Sequence, residues 1–386
     1  MLKNTLQSTV LLAALLCSSS AAQDSIRIPN VGKVKCERIA IGNPGDYKAS
    51  IARLPDDSLA LTMFKGKRVG GGKVIEETLF YRSHDGGKTW SKRRVLTVLG
   101  REPYLSVSKR GTLFITAHHL RQDQRNTFGY TLSYIHRSSD AGKTWTSLRL
   151  QPKNFRPKVT ALGSRNVIQL ADGSLLFGIS EHATPKCRSR VYRSFDDGKT
   201  WESYASHFEG VPKKYPYTLF GEAHFWQAPS GKLYTILRVG AGNTWPLRGS
   251  SDPGKNDQSE RMIIYSSKDI GRTWQKGADL GVYGQMYMAL LPLDNKRLLL
   301  TFTQRAIAKQ LGVRAVIGHY KRDGFKFDMS PKNHIQIETK TPPGMHSGGG
   351  FGPTVRLKDN TLVTSYTYRD KAGVTHAEVV RWRIPR

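Results

Sequence analysis

Four copies of one eight-residue motif decide the fold of this 386-residue chain: SHDGGKTW at residues 83–90, SSDAGKTW at 138–145, SFDDGKTW at 194–201 and SKDIGRTW at 267–274. The motif aspartates follow one another at intervals of 55, 56 and 73 residues. A period in the fifties is typical of a supersecondary unit that is repeated along the chain. The longest interval contains a polar insertion with glycine and proline, residues 240–261, which reads as a surface loop.

The residue types of the motif indicate a structural turn. An aspartate can accept hydrogen bonds from backbone N–H groups of its own turn, and glycine takes backbone angles that are closed to other residues. The tryptophan has a large ring to pack into the sheet beneath. We therefore expect the motif to staple the turn between the third and fourth strands of each unit, on the outer rim and away from any site of chemistry.

A second repeat consists of six strand–turn–strand patterns, whose turns lie at Asp57, Gly111, Gly173, Gly231, Asn295 and Asn360. Each pattern predicts a β-hairpin, and a third apolar strand then leads into the aspartate motif, which has decayed around Asp323 in the fifth unit. Six units of about four strands, with almost no helical periodicity, predict an all-β fold, a six-bladed β-propeller in one domain over residues 23–386. The last strand should pair with the N-terminal segment and close the ring.

The first 22 residues have the pattern of a signal peptide. Lys3 precedes an apolar run at residues 10–17, and small residues lead to Ala22. The apolar run is much shorter than the roughly 20 residues of a membrane-spanning helix. We expect cleavage near Ala22, secretion to the periplasm or the outside, and no stable membrane insertion; lipid attachment at Cys17 is the weaker alternative.

The charge balance favours an anionic partner. Lys and Arg number 60 against 30 Asp and Glu, a formal net charge of +30. Outside the cell such an excess points to acidic or sulfated glycans, anionic cell walls or lipid headgroups rather than nucleic acid, for which the sequence has no motif. A diffuse basic surface without a dedicated ligand is the alternative. Cys36 and Cys187 could form a disulfide or stay free, and we assign them no chemistry.

The repeated motif resembles the Asp-box of the sialidase (neuraminidase) superfamily, and the resemblance covers nearly all of the chain after residue 22. It implies a sialidase-like propeller with its site at the axis. By the family's spacing, Glu222 and Arg238 correspond to a catalytic glutamate and a substrate-binding arginine, and Arg314 to a further arginine. Two arginines that face one pocket can grip a carboxylate. The resemblance thus predicts Glu222 as catalytic and Lys48, Arg238 and Arg314 as substrate-binding.

Three departures from the family pattern fall on the same site. Lys48 stands where the family has its first arginine, and a lysine is a point charge without the guanidinium fork. No carboxylate lies where the family's acid/base aspartate should be, although Glu76 and Glu77 are nearer the first motif. Phe351 occupies the place of the nucleophilic tyrosine. A standard retaining sialidase mechanism is therefore not expected.

Other polar residues fall where inner strands should open, and His or Glu among them could replace the missing acid or base. They are Arg101, Glu102, His118, His119, Glu181, His182 and Arg305. Adjacent histidines on a strand point to opposite faces, which argues against a shared metal, and we expect no cofactor or metal. The run YGQMYMALLP at residues 283–292 reads as a buried strand, with Tyr283 and Tyr287 as alternative pocket residues.

Two functions follow from these patterns. The first is a secreted, sialidase-like glycan-active enzyme, a glycoside hydrolase or a lyase, which binds an acidic or sulfated sugar in a basic pocket and uses a non-standard catalytic set. The second is a non-catalytic glycan-binding propeller that has lost the nucleophile. The presence of Glu222 favours the enzyme. The pattern distinguishes neither the sugar nor the oligomeric state.

Overall fold

The computed structural model describes residues 23–150, 160–163, 165–183, 186–209, 219–240, 260–280, 284–305, 311–321, 324–342, 345 and 350–385. Within these ranges the chain is built from 27 β-strands and one short 3-10 helix at Pro331–Asn333. No helix in this part of the chain has the length and apolar character to cross a membrane. The prediction of an all-β fold is confirmed.

Four antiparallel sheets follow one another along the chain. The first contains β3 (Tyr47–Arg53), β4 (Leu59–Gly70), β5 (Lys73–Ser83) and β6 (Arg94–Leu96). The second contains β7 (Arg101–Val107), β8 (Leu113–His119), β9 (Leu132–Ser138) and β10 (Thr146–Leu150). The third contains β11 (Thr160–Gly163), β12 (Ile168–Gln169), β13 (Leu175–Ala183), β14 (Lys186–Ser194) and β15 (Glu202–Glu209). The fourth contains β16 (Leu219–Gln227), β17 (Leu233–Gly240), β18 (Glu260–Ser267) and β19 (Gln275–Asp279).

A fifth, ten-stranded sheet joins the two ends of the chain. Its first half contains β20 (Gln285–Pro292), β21 (Arg297–Gln304), β22 (Gly312–Lys321), β23 (Gly324–Lys326) and β24 (Ile335–Gln336). Its second half contains β1 (Gln23–Ile28), β2 (Gly32–Ile41), β25 (Thr354–Arg356), β26 (Leu362–Arg369) and β27 (Thr375–Trp382). The halves meet where Arg27 of β1 pairs with Gln336 of β24. Because of this pairing, the described residues form five hydrogen-bonded sheets rather than six separate ones.

The predicted pairing of the last strand with the N-terminal segment is confirmed. β27 pairs antiparallel with β2, in register from Glu37–Arg381 to Ile41–Ala377. β27 also pairs with β26, so it is a central strand of the sheet. The strand at each end of the sequence is thereby hydrogen-bonded rather than left as an exposed edge.

The apolar core is divided among the interfaces between consecutive sheets. Six buried clusters each join residues of neighbouring sheets or of the two halves of the ten-stranded sheet. Leu105 of the second sheet, for example, packs in one cluster with Phe80 of the first. A seventh, smaller cluster brings together Tyr104 of β7, Met286 of β20 and Phe351, which lies just before β25. These three residues belong to three different units, so the beginnings of the first strands face one another.

The aspartate motif is the predicted turn staple. In its first copy the Ser83 hydroxyl donates to Asp85 over 2.8 Å and accepts the N–H of Gly87 over 2.8 Å. The same bonds recur in the other three copies. In the fourth copy the Thr273 hydroxyl bond holds the pKa of Asp269 at about 2, so this carboxylate stays ionised in its turn. All of these hydrogen bonds join residues of the same motif copy. The motif therefore stabilises its own turn, which is a structural role.

Cys36 is buried and has no disulfide partner in the described part of the chain. The side chain of Cys187 lies outside the described residues, as do those of Glu181 and His182. The predicted signal peptide, Tyr283 and Asp323 lie outside them as well.

Candidate active site

The candidate site is built from one residue at the start of each first strand. Lys48, Glu102, Glu222, Tyr287 and Phe351 all have left-handed backbone angles, with φ between +48° and +62°. In the first four of them the register of the strand pair shifts at that residue, which is the pattern of a β-bulge. A bulge re-aims a side chain out of the regular alternation. Here it re-aims Lys48, Glu102, Glu222 and Tyr287, each from a different unit, and Phe351 has the same left-handed backbone without a bulge.

Arg165 supplies the corresponding position in the third unit. It precedes the short strand β12, and its backbone N–H donates to Ala223 over 2.7 Å. Its backbone oxygen accepts from the Thr116 hydroxyl over 2.8 Å. The residue is 2% exposed, so its guanidinium is held inside the molecule between the second and fourth sheets.

These side chains form a chain of alternating charges. Glu102 pairs with Lys48 on one side and with Arg165 on the other, the second at 2.9 Å. Glu222 pairs with Arg165 and with Arg238. Each carboxylate therefore lies between two cations, and Arg165 links the two carboxylates.

The cations keep both carboxylates ionised. Burial alone would raise the pKa of Glu222, but Arg165 and Arg238 outweigh it and bring that pKa far below its usual range. Burial would likewise raise the pKa of Glu102, and Lys48 and Arg165 lower it well below the ordinary value. Neither group carries a proton at neutral pH.

Tyr287 occupies the centre of this arrangement. Its hydroxyl accepts hydrogen bonds from the Lys48 ammonium over 3.0 Å and from Arg305 over 2.6 Å. The Arg165 and Arg238 guanidinium carbons lie 5.0 and 5.3 Å from its ring centroid. Burial raises the pKa of Tyr287 to about 12, although Arg305 and Arg238 act in the opposite direction. The hydroxyl is thus protonated in the free protein and surrounded by positive charge.

His118 is a neutral imidazole beside Glu222. Its Nε2 lies 3.8 Å from the Glu222 carboxylate, and its buried Nδ1 has no hydrogen-bond partner among the described residues. Burial, followed by the charge of Arg165, lowers the pKa of His118 to about 4. A neutral imidazole with an unpartnered nitrogen is able to accept a proton or to donate one.

Glu76 lies beside the axial ring, the name used here for Lys48, Glu102, Arg165, Glu222, Tyr287 and Phe351 with their ion-pair partners. Its side chain is buried, one carboxylate oxygen has no partner in the described ranges, and the other lies 3.4 Å from Arg101. Arg101 also lies 3.6 Å from Glu102, so it bridges Glu76 to the axial residues. Burial raises the pKa of Glu76 to about 7 despite Arg101. This carboxyl therefore binds a proton more readily than an exposed glutamate does.

Donor atoms of Glu102, His118 and Glu222 lie within 4.8 Å of one another, a spacing that a metal ion could bridge. Both carboxylates, however, already neutralise Lys48, Arg165 and Arg238. A divalent cation placed between them would lie against these three positive charges. The donor set therefore does not fit a metal.

A cavity of about 730 Å³ lies at the other end of the first strands. Its lining includes Arg53, Ser106, Asn166 and Arg356, and no carboxylate among the described residues. Tyr104 belongs both to the lining of this cavity and to the buried cluster with Met286, Tyr287 and Phe351. The ring, with its acidic, basic and neutral proton-carrying groups, is the better candidate for chemistry.

The structure brings together three of the four predicted site residues. Lys48, Glu222 and Arg238 belong to the same ionic chain. Arg314 is not a member of this ionic chain. Its buried guanidinium donates hydrogen bonds to the backbone oxygens of Leu311 and Glu338 over 3.0 and 3.2 Å. Its part in substrate binding stays a prediction. Phe351 lies at the axis and packs edge-on against Tyr104 and Tyr287.

The sequence patterns did not identify Arg165 as a site residue. They placed Tyr287 in a buried strand, with the pocket as the alternative. A usable signal is the distance to the hairpin turn: all six axial residues lie eight or nine residues before the turn residue of their unit. Counting back from Gly173 and Asn295 gives Arg165 and Tyr287.

Comparison with known proteins supports the fold. A family model described as BNR/Asp-box repeat matches residues 81–92. No curated protein sequence matches the chain. A Dyadobacter fermentans protein of unknown function is 21% identical, with a TM-score of 0.68, over 90% of this chain and 98% of that one.

Two enzymes of known activity have similar structures. The intramolecular trans-sialidase of Ruminococcus gnavus, solved with oseltamivir carboxylate, is 15% identical with a TM-score of 0.59, over 88% of this chain and 94% of that one. The α-L-arabinofuranosidase of Fusarium graminearum, solved with an iminosugar inhibitor, is 14% identical with a TM-score of 0.58, over 89% and 97%. The chain therefore carries the Asp-box repeat and has the β-propeller fold of the sialidase-like proteins.

Proposed function

We propose that this protein is a secreted glycan-active enzyme that binds an acidic sugar at the axis of a six-bladed propeller. The observation that carries the proposal is the ring of six axial residues, one from each unit, in which two buried carboxylates alternate with cations. The six interface clusters support six blades, with the ten-stranded sheet counted as two. Secretion rests on the signal-peptide pattern of residues 1–22.

The cations around Tyr287 support an anionic ligand. Lys48 and Arg305 donate hydrogen bonds to its hydroxyl, and the guanidinium carbons of Arg165 and Arg238 lie 5.0 and 5.3 Å from its ring centroid. Arginine and lysine side chains bind carboxylate and sulfate groups through charge-assisted hydrogen bonds, so this group of cations favours a ligand that brings one of them. The side chains of Glu102 and Arg101 keep 11% and 25% exposure, which leaves the ring accessible from this end.

The similar structures act on sugars, and this also supports a glycan ligand. One is a trans-sialidase and another an arabinofuranosidase. The chemistry differs between these two enzymes on one fold, so the fold supports the ligand class more than the reaction. We propose a hydrolase-type or related cleavage of a glycosidic bond in an acidic glycan.

The test is a panel of sialylated, uronic-acid and sulfated glycans incubated with the purified protein and analysed for released product. Affinity for any turned-over or bound glycan is then compared in Arg238→Ala and Lys143→Ala. The first removes a buried charged contact, with an expected cost of about 1.5 to 3 kcal/mol or roughly tenfold to a hundredfold in affinity. The second removes an exposed lysine of the outer turn and should cost little. Equal effects would place the ligand away from the axis.

A second candidate is a glycan-binding propeller without catalysis. Phe351 favours it, because this axial residue is 1% exposed, has no oxygen and packs against two tyrosine rings. The panel discriminates the two: a glycan that binds and is recovered unchanged supports the binding protein, and turnover of any glycan excludes it.

A further inference from the structure

The ring lacks the pair of carboxyl groups that glycoside hydrolysis ordinarily uses. That reaction needs one protonated carboxyl as acid and a second, available carboxylate as nucleophile or base. Glu102 and Glu222 are both ionised and both held by two cations. Glu76 carries a proton part of the time, but it reaches the ring through Arg101.

The ring does hold two neutral groups that can exchange protons. His118 has a buried Nδ1 to which no group in the described part of the chain bonds, and Tyr287 has a hydroxyl fixed between Lys48 and Arg305. Both lie among cations that could receive a carboxylate. This combination suits removal of a proton from carbon, followed by its return to oxygen.

We propose that the site cleaves uronic-acid polymers by β-elimination, with His118 as the base and Tyr287 as the acid. The proposal rests on the proposed function, because it assigns a reaction to the same axial site.

The step balances without a co-reactant. His118 takes the proton from the carbon next to the uronate carboxylate, and the electron pair of that C–H bond moves into the carboxylate as an enediolate. The pair then forms a C=C bond, and the bond from the next carbon to the glycosidic oxygen breaks. Tyr287 protonates the leaving oxygen, and the His118 proton returns to Tyr287 through solvent. The products are an unsaturated uronate end and a new sugar hydroxyl end, and no water is added.

The cations around Tyr287 have a specific part in this step. Charge develops on the carboxylate as the proton leaves, and preorganised positive groups in a buried site stabilise developing negative charge. Lys48, Arg238 and Arg305 surround the Tyr287 ring and hydroxyl at the point where this charge would form. A neutral sugar has no group for them to stabilise, so turnover should require the uronate carboxylate.

The decisive experiment uses the wild-type protein with hyaluronan, chondroitin sulfate, alginate and polygalacturonate in water enriched in oxygen-18. Elimination gives a product that absorbs in the ultraviolet through its conjugated C=C bond and contains no oxygen-18. Hydrolysis gives a product with oxygen-18 and no such absorbance, and that result would overturn elimination while the proposed function stands. Turnover of a sialoside or neutral glycan but of none of these polymers would also overturn it. If no glycan is turned over, both the elimination reaction and the proposed enzymatic function are refuted.

The assignment of residues is tested with Tyr287→Phe and His118→Gln, with Lys143→Ala as the matched surface control. General acid–base groups contribute about a hundredfold to ten-thousandfold in rate, so each variant should lose that much kcat on the polymer that is turned over. Tyr287→Phe keeps the ring beside the cations, and a thermal unfolding midpoint close to that of the wild type shows that the variant is folded. Folded variants with unchanged kcat would refute the roles of these residues.

Discussion

Arg165 should be the most sensitive single position of the axial ring to substitution. Removing one member of a buried charge network costs about 3 to 5 kcal/mol, because the remaining partners are left buried and undercompensated. In Arg165→Met, Glu102 keeps Lys48 and Glu222 keeps Arg238. The methionine also fills much of the space of the arginine stem. We therefore expect a loss at the lower end, about 3 kcal/mol in the free energy of unfolding, or more than a hundredfold in the equilibrium constant.

The loss should depend on pH, with a sign set by the two carboxylates. The pKa values of Glu102 and Glu222 are lowered in the folded protein, so their contribution to stability is present above the unfolded carboxyl pKa of about 4.3. It disappears as the pH falls through the lowered folded values. The variant has less of this contribution to lose, so the difference in stability between the two proteins should be full at pH 7 and smaller at pH 3.

The assay is urea denaturation of wild type and variant at both pH values, with unfolding followed by tryptophan fluorescence. Arg53→Met is the control, because Arg53 pairs with Asp57 at the surface with about a third of each side chain exposed. Exposed pairs contribute roughly 0 to 1 kcal/mol. A loss below 1 kcal/mol for Arg165→Met, or the same loss at pH 7 and pH 3, would refute the view that Arg165 joins two buried carboxylates.

Three further outcomes can be measured. Phe351→Tyr should not create sialidase activity on an aryl sialoside, since Lys48 and the lack of a dedicated acid remain; strong cleavage by this variant would show that the ring needs only the hydroxyl. Gly142→Ala should destabilise by roughly 1 to 3 kcal/mol more than Gly173→Ala in thermal or urea unfolding, because both have left-handed angles but only the added Cβ at Gly142 meets Phe80, at 2.6 Å; equal losses would mean that the ring of Phe80 moves freely aside. A chelator should leave turnover unchanged, because the carboxylates of the ring are neutralised by side-chain cations; activity that is lost with chelator and restored by added metal would contradict this.

The fold was accessible from the sequence because its signals are local. An aspartate motif needs eight consecutive residues, and a hairpin needs a turn between two apolar runs, so both can be read without knowing what lies across the molecule. Glu222 and Arg238 were predicted from the resemblance to the sialidase superfamily, by the spacing of that family's residues. The number of hydrogen-bonded sheets was not accessible, because it depends on whether Arg27 pairs with Gln336 across the chain ends.

The partners within the site were not accessible, because they are set by ring closure. Glu102 and Arg165 are 63 residues apart and lie in different sheets. Tyr287 is surrounded by apolar residues in the sequence, so its environment of cations cannot be seen from its neighbours. Arg165 precedes a strand of two residues, which is too short to give any pattern.

The left-handed backbone at Lys48, Glu102, Glu222, Tyr287 and Phe351 is kept in place by the contacts of their side chains. Each non-glycine residue in such a conformation costs about 1 to 3 kcal/mol. Loss of one member of the buried charge network costs about 3 to 5 kcal/mol, so exchange of Lys48, Glu102 or Glu222 for glycine would relieve the backbone and still destabilise the protein. A library selected for thermal survival alone should therefore retain these three charged residues. The same backbone accepts different side chains at one geometry, so new chemistry could be introduced at the axis by exchanging these residues while the sheets around them stay as they are.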